Sequence, residues 1–264
     1  MKGSMLAVIL TVAGLAGGQV GAVDWSGYGI KDIEQGAIAG DPDAQFLLGR
    51  HYDRLYSNEA DPRYLNEATR WYQLAAEQGY RDAQYEMARR YHVGSGVPQD
   101  DSQSVAWLNK AADLGHTEAQ YAMAVSYFNG TGVPQDYLHA RYWCMKAAEN
   151  GVDEARLLMA RFYLEALGVE RDEAEGVAWV AEAAVQKGKT ARQAQAMLGS
   201  LFQRGVGVER DLKMAYVWYS VAAANGDGGA PISRDLVAKG LSADELDEAQ
   251  ALAGQYFERF NTKS

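Results

Sequence analysis

The sequence predicts an all-α chain, an α/α superhelical solenoid of about five helix-pair repeats with helical caps, and three observations predict it. Five of the six tryptophans, Trp71, Trp107, Trp143, Trp179 and Trp218, recur at intervals of 36, 36, 36 and 39 residues. Ahead of them lie five segments of one pattern: AQFLLGRHY from Ala44, AQYEMARRY from Ala83, AQYAMAVSY from Ala119, ARLLMARFY from Ala155 and AQAMLGSLF from Ala194. Between segment and tryptophan, four of the five units carry a Gly-Val loop of nearly constant sequence. A fixed period in the thirties marks stacked two-helix units, because one unit cannot bury its apolar face alone and must lean on a neighbour.

Each repeated segment reads as a helix, here helix A. Alanine opens it, Leu or Met follows four residues on, Gly or Ala five on, and Tyr or Phe eight on, which is one face of a 3.6-residue helix. The loops GSGVPQD (94–100), GTGVPQD (130–136), ALGVERD (166–172) and GVGVERD (205–211) then end it. Their second glycine, Gly96, Gly132, Gly168 or Gly207, stands where a positive φ would exclude a β-carbon. Asp100, Asp136, Asp172 and Asp211 suit the N-cap of the next helix, with Gln103 and Glu175 in capping-box places.

That next helix, helix B, carries the tryptophan and then a double alanine: Ala75-Ala76, Ala111-Ala112, Ala147-Ala148, Ala183-Ala184 and Ala222-Ala223. Small pairs allow close helix approach. Gly79, Gly115, Gly151 and Gly226 end four of the five B helices. The fourth unit instead runs VQKGKTARQ, with its glycine late, which predicts an altered step or protruding turn between Trp179 and Ala194. The first unit also departs, since its stretch 53–62 is longer and lacks the Gly-Val turn.

At the ends, IKDIEQGAIAG (30–40) aligns Ala37 and Gly40 with Ala76 and Gly79, as the end of a helix B that would cap the array. The stretch from Leu241 opens with the capping box Ser242-x-x-Glu245 and places Leu246, Ala249, Ala253, Tyr256 and Phe260 on one stripe, which predicts a helix across the last repeat. The expected division is therefore a signal peptide over 1–22, an N-terminal segment and capping helix over 23–40, repeats over 41–228, and C-terminal capping helices over 229–264.

Taken together, the opening alanine, Leu/Met-Gly/Ala, Tyr, Gly-x-Gly-Val, Asp, Trp, Ala-Ala and Gly resemble the Sel1-like repeat family over about residues 41–228. The related tetratricopeptide repeat, about 34 residues long, lacks the Gly-x-Gly-Val turn. The resemblance implies an α/α solenoid and, for bacterial members, adaptor or regulatory roles in envelope processes, signalling and host interaction, exercised by binding protein. One branch, linked to β-lactam binding, has a cysteine pair in each repeat. This chain lacks those cysteines.

The N-terminus points to export. Lys2 precedes the apolar run Met5–Ala16, and Val20-Gly21-Ala22 fits a signal-peptidase site, with cleavage expected after Ala22 and a periplasmic or secreted product. That run is too short for a comfortable membrane span. The single cysteine, Cys144, occupies a place filled elsewhere by Tyr72, Leu108, Val180 and Tyr219, and reads as a core filler.

Composition and motif search narrow the function. A net charge of −10 and a pI near 4.9 disfavour nucleic acid and anionic lipid. His51, His92, His116 and His139 fall at different repeat positions, so no metal site is expected. The Gly-x-Gly loops lack a preceding strand and the lysine of a phosphate loop, and no nucleophile motif is present, so neither cofactor nor catalytic residues are expected. What remains is surface. Six places after its opening alanine, helix A presents Arg50, Arg89, Val125, Arg161 and Ser200, with Arg90 beside Arg89, and Phe128 breaks a place held elsewhere by Asp53, His92, Leu164 and Gln203. Arg50, Arg89, Arg90, Phe128 and Arg161 are thus the candidate partner-binding residues, against the plainer reading of a solvated helix face. The function expected is an exported protein-binding scaffold, adaptor or regulator of an envelope complex or signalling receptor, with a partner of unknown identity and an oligomeric state left open, a monomer being favoured. The alternatives are a cell-wall or β-lactam hydrolase and a carbohydrate-binding module.

Overall fold

The computed structural model of the protein describes residues 24, 25 and 27–261, so the expected signal peptide lies outside the described residues. They form thirteen helices and no strand. Helix α1 (Ile30–Ile38) precedes five pairs, α2 (Pro42–Glu59) with α3 (Pro62–Glu77), α4 (Arg81–Val93) with α5 (Asp101–Asp113), α6 (Thr117–Asn129) with α7 (Tyr137–Glu149), α8 (Asp153–Leu164) with α9 (Glu173–Ala184), and α10 (Lys189–Arg204) with α11 (Leu212–Ala224). Helices α12 (Ala230–Ala238) and α13 (Ala243–Asn261) follow. Two compact units divide the chain, one reaching Met87 and including Ser95–Val97, the other holding Ala88–Gly94 and everything from Pro98.

In the first unit α1 packs on α2 and α2 on α3. Asp41 caps α2 by accepting from the Ala44 N–H at 2.8 Å, and its carboxylate also accepts from Trp25 Nε1 at 3.1 Å. Helix α1 stands in for a helix B, as its alanine and glycine predict: Gln45 Nε2 donates to the Ala37 carbonyl at 3.1 Å, just as Gln84 Nε2 donates to Ala76 at 3.2 Å. In this unit the place five residues after the opening alanine is glycine because an aromatic ring lies over it. A β-carbon on Gly49 would come within 2.8 Å of the Tyr72 ring. The extra residues of the first unit extend α2 to 18 residues, ending at Ala60 with φ 54.

The second unit repeats one contact scheme. Helices α6 and α7, α8 and α9, and α10 and α11 pack as pairs, and α5, α7 and α9 each pack on the helix A that follows. The double alanines of α5, α7 and α9 are buried at these contacts. A glutamine reads the close approach. Gln120 Nε2 donates to the Ala112 carbonyl at 3.3 Å while its Oε1 accepts from Asn150 at 2.9 Å; Gln195 repeats this with Ala184 at 2.8 Å and Asn225 at 3.0 Å. Each glutamine is buried, so these bonds satisfy polar groups that would otherwise be costly there. In α8 the place belongs to Arg156, which pairs with Asp153 and stands 4.0 Å from Glu182.

The loops explain their constancy. Gly132 and Gly207 have φ 73 and 67, and a β-carbon on either would fall 2.2 Å from a backbone oxygen, of Asp101 and Glu173 respectively, at the start of the preceding helix B. Conformation and close approach both require glycine. The cap aspartates act as predicted: Asp100 accepts from Ser102 and Gln103, Asp136 from Leu138 and His139, Asp172 from Glu175, and Asp211 from Met214. The capping boxes at Gln103 and Glu175 are not the interaction found. The N–H groups of Asp100 and Asp172 turn back to the carbonyls of Tyr91 (2.9 Å) and Tyr163 (3.2 Å) in helix A, while Glu175 accepts from Trp179 Nε1 at 3.0 Å. By contrast, the Ser242–Glu245 box forms, with both reciprocal bonds at 2.9 and 3.3 Å.

The tryptophans are unequal. Trp143 and Trp218 are buried whereas Trp71, Trp107 and Trp179 are half-buried, and the next residue along, Tyr72, Leu108, Cys144, Val180 or Tyr219, is buried in every unit. At the late glycine, Gly188 takes φ 101 and the surplus residues become an extra first turn of α10, which is 16 residues long against 13 for α6 and 12 for α8. Beyond α11, the predicted stripe of α13 covers the last repeat, with Tyr256 and Phe260 rings 5.4 and 5.8 Å from that of Trp218. Helices α12 and α13 also keep traces of a sixth pair. Ala230 follows Gly226 by the interval that separates Ala119 from Gly115, and Gly240 sits against Leu212, directly after the α11 cap, as Gly132 sits against Asp101. No helix among the described residues is long and apolar enough to cross a membrane.

Candidate functional site

The candidate arginines lie on helix A, where the face opposite the repeated apolar residues meets solvent. Arg50 is exposed on α2 in the first unit; Arg89 and Arg161 are exposed on α4 and α8 in the second. Arg90 differs, being only 5% exposed. One residue along a helix is a rotation of about 100°, and Arg90 thereby shares the place of Ser126, Phe162 and Leu201, all buried. That equivalence was readable in the repeat and marks the place as interior.

Phe128 and Arg161 are brought together. The guanidinium carbon of Arg161 stands 4.9 Å above the Phe128 ring, a cation–π geometry. Glu165, one turn on, accepts from Arg161 Nε at 2.9 Å and Nη2 at 3.2 Å, which fixes the fork and holds the guanidinium pKa above its ordinary value. Beneath, Phe128 meets Tyr137 and Phe162 edge-on at 5.4 and 5.7 Å. It is half-buried, so the ring serves as a floor and the arginine as the exposed group. The element pairing that achieves this is the A-to-A neighbourhood of α6 and α8, with Phe128 at the last turn of α6.

Helix B offers a second kind of surface. Lys110 lies 3.8 Å from the Trp107 ring centre, and Lys146 lies 4.6 and 5.0 Å from those of Tyr142 and Trp143. These stems roof the tryptophan edges that the repeat leaves uncovered. Beside them Leu138 and Tyr142, one turn apart on α7, are 61% and 52% exposed. Sequence reasoning did not single out this pair, although Ser102 and Ala106 at the same places of α5 show that neither belongs to the framework.

The titratable groups do structural work. His139 Nδ1 lies 2.7 Å from Asp136 and its ring stacks on Tyr127; the histidine, then its own backbone N–H, hold the Asp136 carboxyl below the usual range. His92 makes the same kind of pair with Asp101 at 2.8 Å. Cys144 is buried, donates to the Ala155 carbonyl at 3.1 Å, and burial pushes its thiol up to about 12. Among the described residues no group of three or more His, Cys, Asp or Glu side chains is placed to hold a metal ion.

Comparison with known families matches five consecutive Sel1 repeats, over residues 42–80, 81–116, 117–152, 153–186 and 192–227. Among solved structures, the chain is similar to a protective antigen present in uropathogenic Escherichia coli strains and displaying an SLR fold, at 31% identity and TM-score 0.73, over 89% of this chain and 49% of that one. It is also similar to a Sel1 repeat protein from Oxalobacter formigenes, at 27% identity and TM-score 0.72, over 89% of this chain and 93% of that one. The chain thus spans about half the length of the first of these. A comparison with curated proteins finds no match.

Proposed function

The chain belongs to the Sel1 repeat family, a scaffold fold that typically mediates protein–protein interaction and is generally not enzymatic, and from that premise we propose that it is an exported adaptor or regulator that holds a protein of an envelope complex or a signalling receptor on its helix A surface. The observation that carries this reading is Arg161 held over Phe128. The recurring residues of the repeat are spent on packing, whereas this pair is particular to its place in the array and is exposed at the arginine. With Nε and Nη2 held by Glu165, the arginine keeps its Nη1 donors and a flat apolar face for a partner, on an aromatic floor of the kind enriched where interfaces concentrate their binding energy. Export rests on the short apolar run and the Val20-Gly21-Ala22 site.

Capture from envelope extract tests the reading. Wild-type chain should retain a stoichiometric protein partner, and Arg89→Glu with Arg161→Glu should weaken capture at least about tenfold, or roughly 1.4 kcal/mol. The control is charge reversal on helix B at exposed Asp113 and Glu149, which should leave capture intact. Lys110 and Lys146 are unsuitable controls because they cover aromatic rings. Intact mass tests export: a mature species should begin at Val23 and fractionate with periplasm or medium. A cytosolic protein retaining Met1 would remove the envelope role.

A further inference from the structure

The stretch that interrupts the repeat, 187–191, lies between the fourth and fifth matched repeats, and it borders a cleft in the second unit. The cleft has two adjoining lobes of about 570 and 220 Å³ that share Gln186, Lys187 and Phe260 in their walls. Arg259, from α13, lines the larger lobe; Arg192, from α10, lines the smaller. Three cations therefore border one cleft in a chain whose net charge is −10. Neither Lys187 nor Arg259 makes an ion pair among the described residues. Arg192 is pinned at the wall through Nη1, which donates to the carbonyls of Asn225 and Gly226, both at 3.3 Å. Of the carboxylates on neighbouring elements, Glu154 accepts from Thr190 at 2.7 Å, and Glu182, largely exposed, lies 4.0 Å from Arg156.

The distribution of charge selects among anions. Because Arg259 and Arg192 serve different lobes and Lys187 serves both, the positive groups are strung along the cleft and do not converge on one point. That suits several carboxylates in succession better than a single phosphate. The floor is firm and apolar, since Phe260 stacks on Trp218 at 5.8 Å with planes 14° apart. A cleft with low-dielectric walls focuses such a field, and lysine and arginine pair strongly with carboxylates there.

We propose that this cleft binds an acidic segment of a partner protein, with Lys187, Arg192 and Arg259 meeting successive carboxylates. The inference rests on the protein-binding reading and adds the chemistry of what is bound. The B-to-A turns at Gly79, Gly115, Gly151 and Gly226 carry no such insertion, so the site is built by the departure from the repeat.

The full chain, labelled with nitrogen-15, is titrated with an amidated hexaglutamate peptide and, separately, with inorganic phosphate. Saturable peptide-induced shifts are expected at the amides of Gly188, Arg192 and Phe260, weakening as salt rises. Lys187→Glu with Arg259→Glu, both exposed, should lower peptide affinity at least about tenfold without changing the helical circular dichroism signal. Arg89→Glu with Arg161→Glu should leave peptide binding unchanged, which separates failure of this cleft from failure of the helix A surface. The proposal is overturned by unmoved amides at millimolar peptide, by equal affinity in the Lys187/Arg259 variant, or by phosphate saturating the same amides where hexaglutamate does not.

Discussion

Gly132 lies so close to the carbonyl of Asp101 that a β-carbon on it would stand 2.2 Å from that oxygen and 3.0 Å from Val105 Cγ2. The loop of one pair thus rests on the first turn of the previous helix B, and the glycine carries the contact between repeats. Gly132→Ala adds a steric clash to the strain of φ 73, for a loss of about 2–5 kcal/mol. Gly115→Ala is the comparison, because Gly115 has φ 79 but nothing within 4 Å of its added carbon. It should lose only about 1–2 kcal/mol. Urea unfolding of both variants decides the matter, and equal losses would show that backbone strain alone requires the glycine.

Gln120 ties three elements, α6, the end of α5 and the end of α7, through one buried amide. Gln120→Met keeps length and apolar contact but leaves the Ala112 carbonyl and the Asn150 amide without that partner. The expected cost is about 1–3 kcal/mol. Exposed Gln103→Met, on the first turn of α5, should change stability by less than about 0.5 kcal/mol. Amide exchange at Asn150 and its neighbours should accelerate in the Gln120 variant, and unchanged exchange there would mean that the bond is not maintained in solution.

Gln120 also shows what the sequence made legible and what it hid. Recurrence exposed the helix pairs, the capping aspartates and the loop glycines, because each is imposed by backbone geometry that returns with every repeat. The glutamine recurs as plainly, at Gln45, Gln84, Gln120 and Gln195, yet its role depends on a carbonyl eight or eleven residues back, across a turn. Arg90 was misplaced on the surface by proximity to Arg89, although its equivalents Phe162 and Leu201 marked an inward place. The traces of a sixth pair lay behind the missing aromatic ring: seven residues past the Ser242 cap, as Trp143 is past Asp136, stands Ala249. The cleft at Lys187 was beyond reach of spacing altogether: it exists because the end of α13 returns to the interrupted turn.

Trp143, 5% exposed, and Trp107, half-buried under Lys110, occupy the same repeat place with different surroundings. Trp143→Ala should cost about 3–5 kcal/mol, as for a fully buried large side chain. Trp107→Ala should cost less, because part of its ring is already in water and the lysine stem can settle into the gap. In a nearest-neighbour array the Trp143 variant should also broaden or split the melting transition. Calorimetry of the two variants measures both effects, and a larger loss at Trp107 would reverse the burial order described here.

Cys144 provides a test that reads the core through pH. Burial pushes its thiol from an ordinary value of 9.0 up to about 12, so the folded state holds the proton more tightly than the unfolded state does. Its contribution to stability is therefore fully present below about 9 and is lost as pH rises toward about 12. Tyr80, raised to about 12 by burial and then by a hydrogen bond to Asp43, titrates in the same window, so the comparison must be with Cys144→Ala and not with neutral pH alone. The variant should start less stable because it leaves a small cavity, but its stability should fall less steeply above pH 9 than that of the wild type. A thiol reagent supplies the independent reading: at pH 8.5 the native chain should label only at the rate at which it opens, and urea at the unfolding midpoint should accelerate labelling sharply. Rapid labelling of the native chain would place the thiol in contact with water and remove Cys144 from the buried place it shares with Tyr72, Leu108, Val180 and Tyr219.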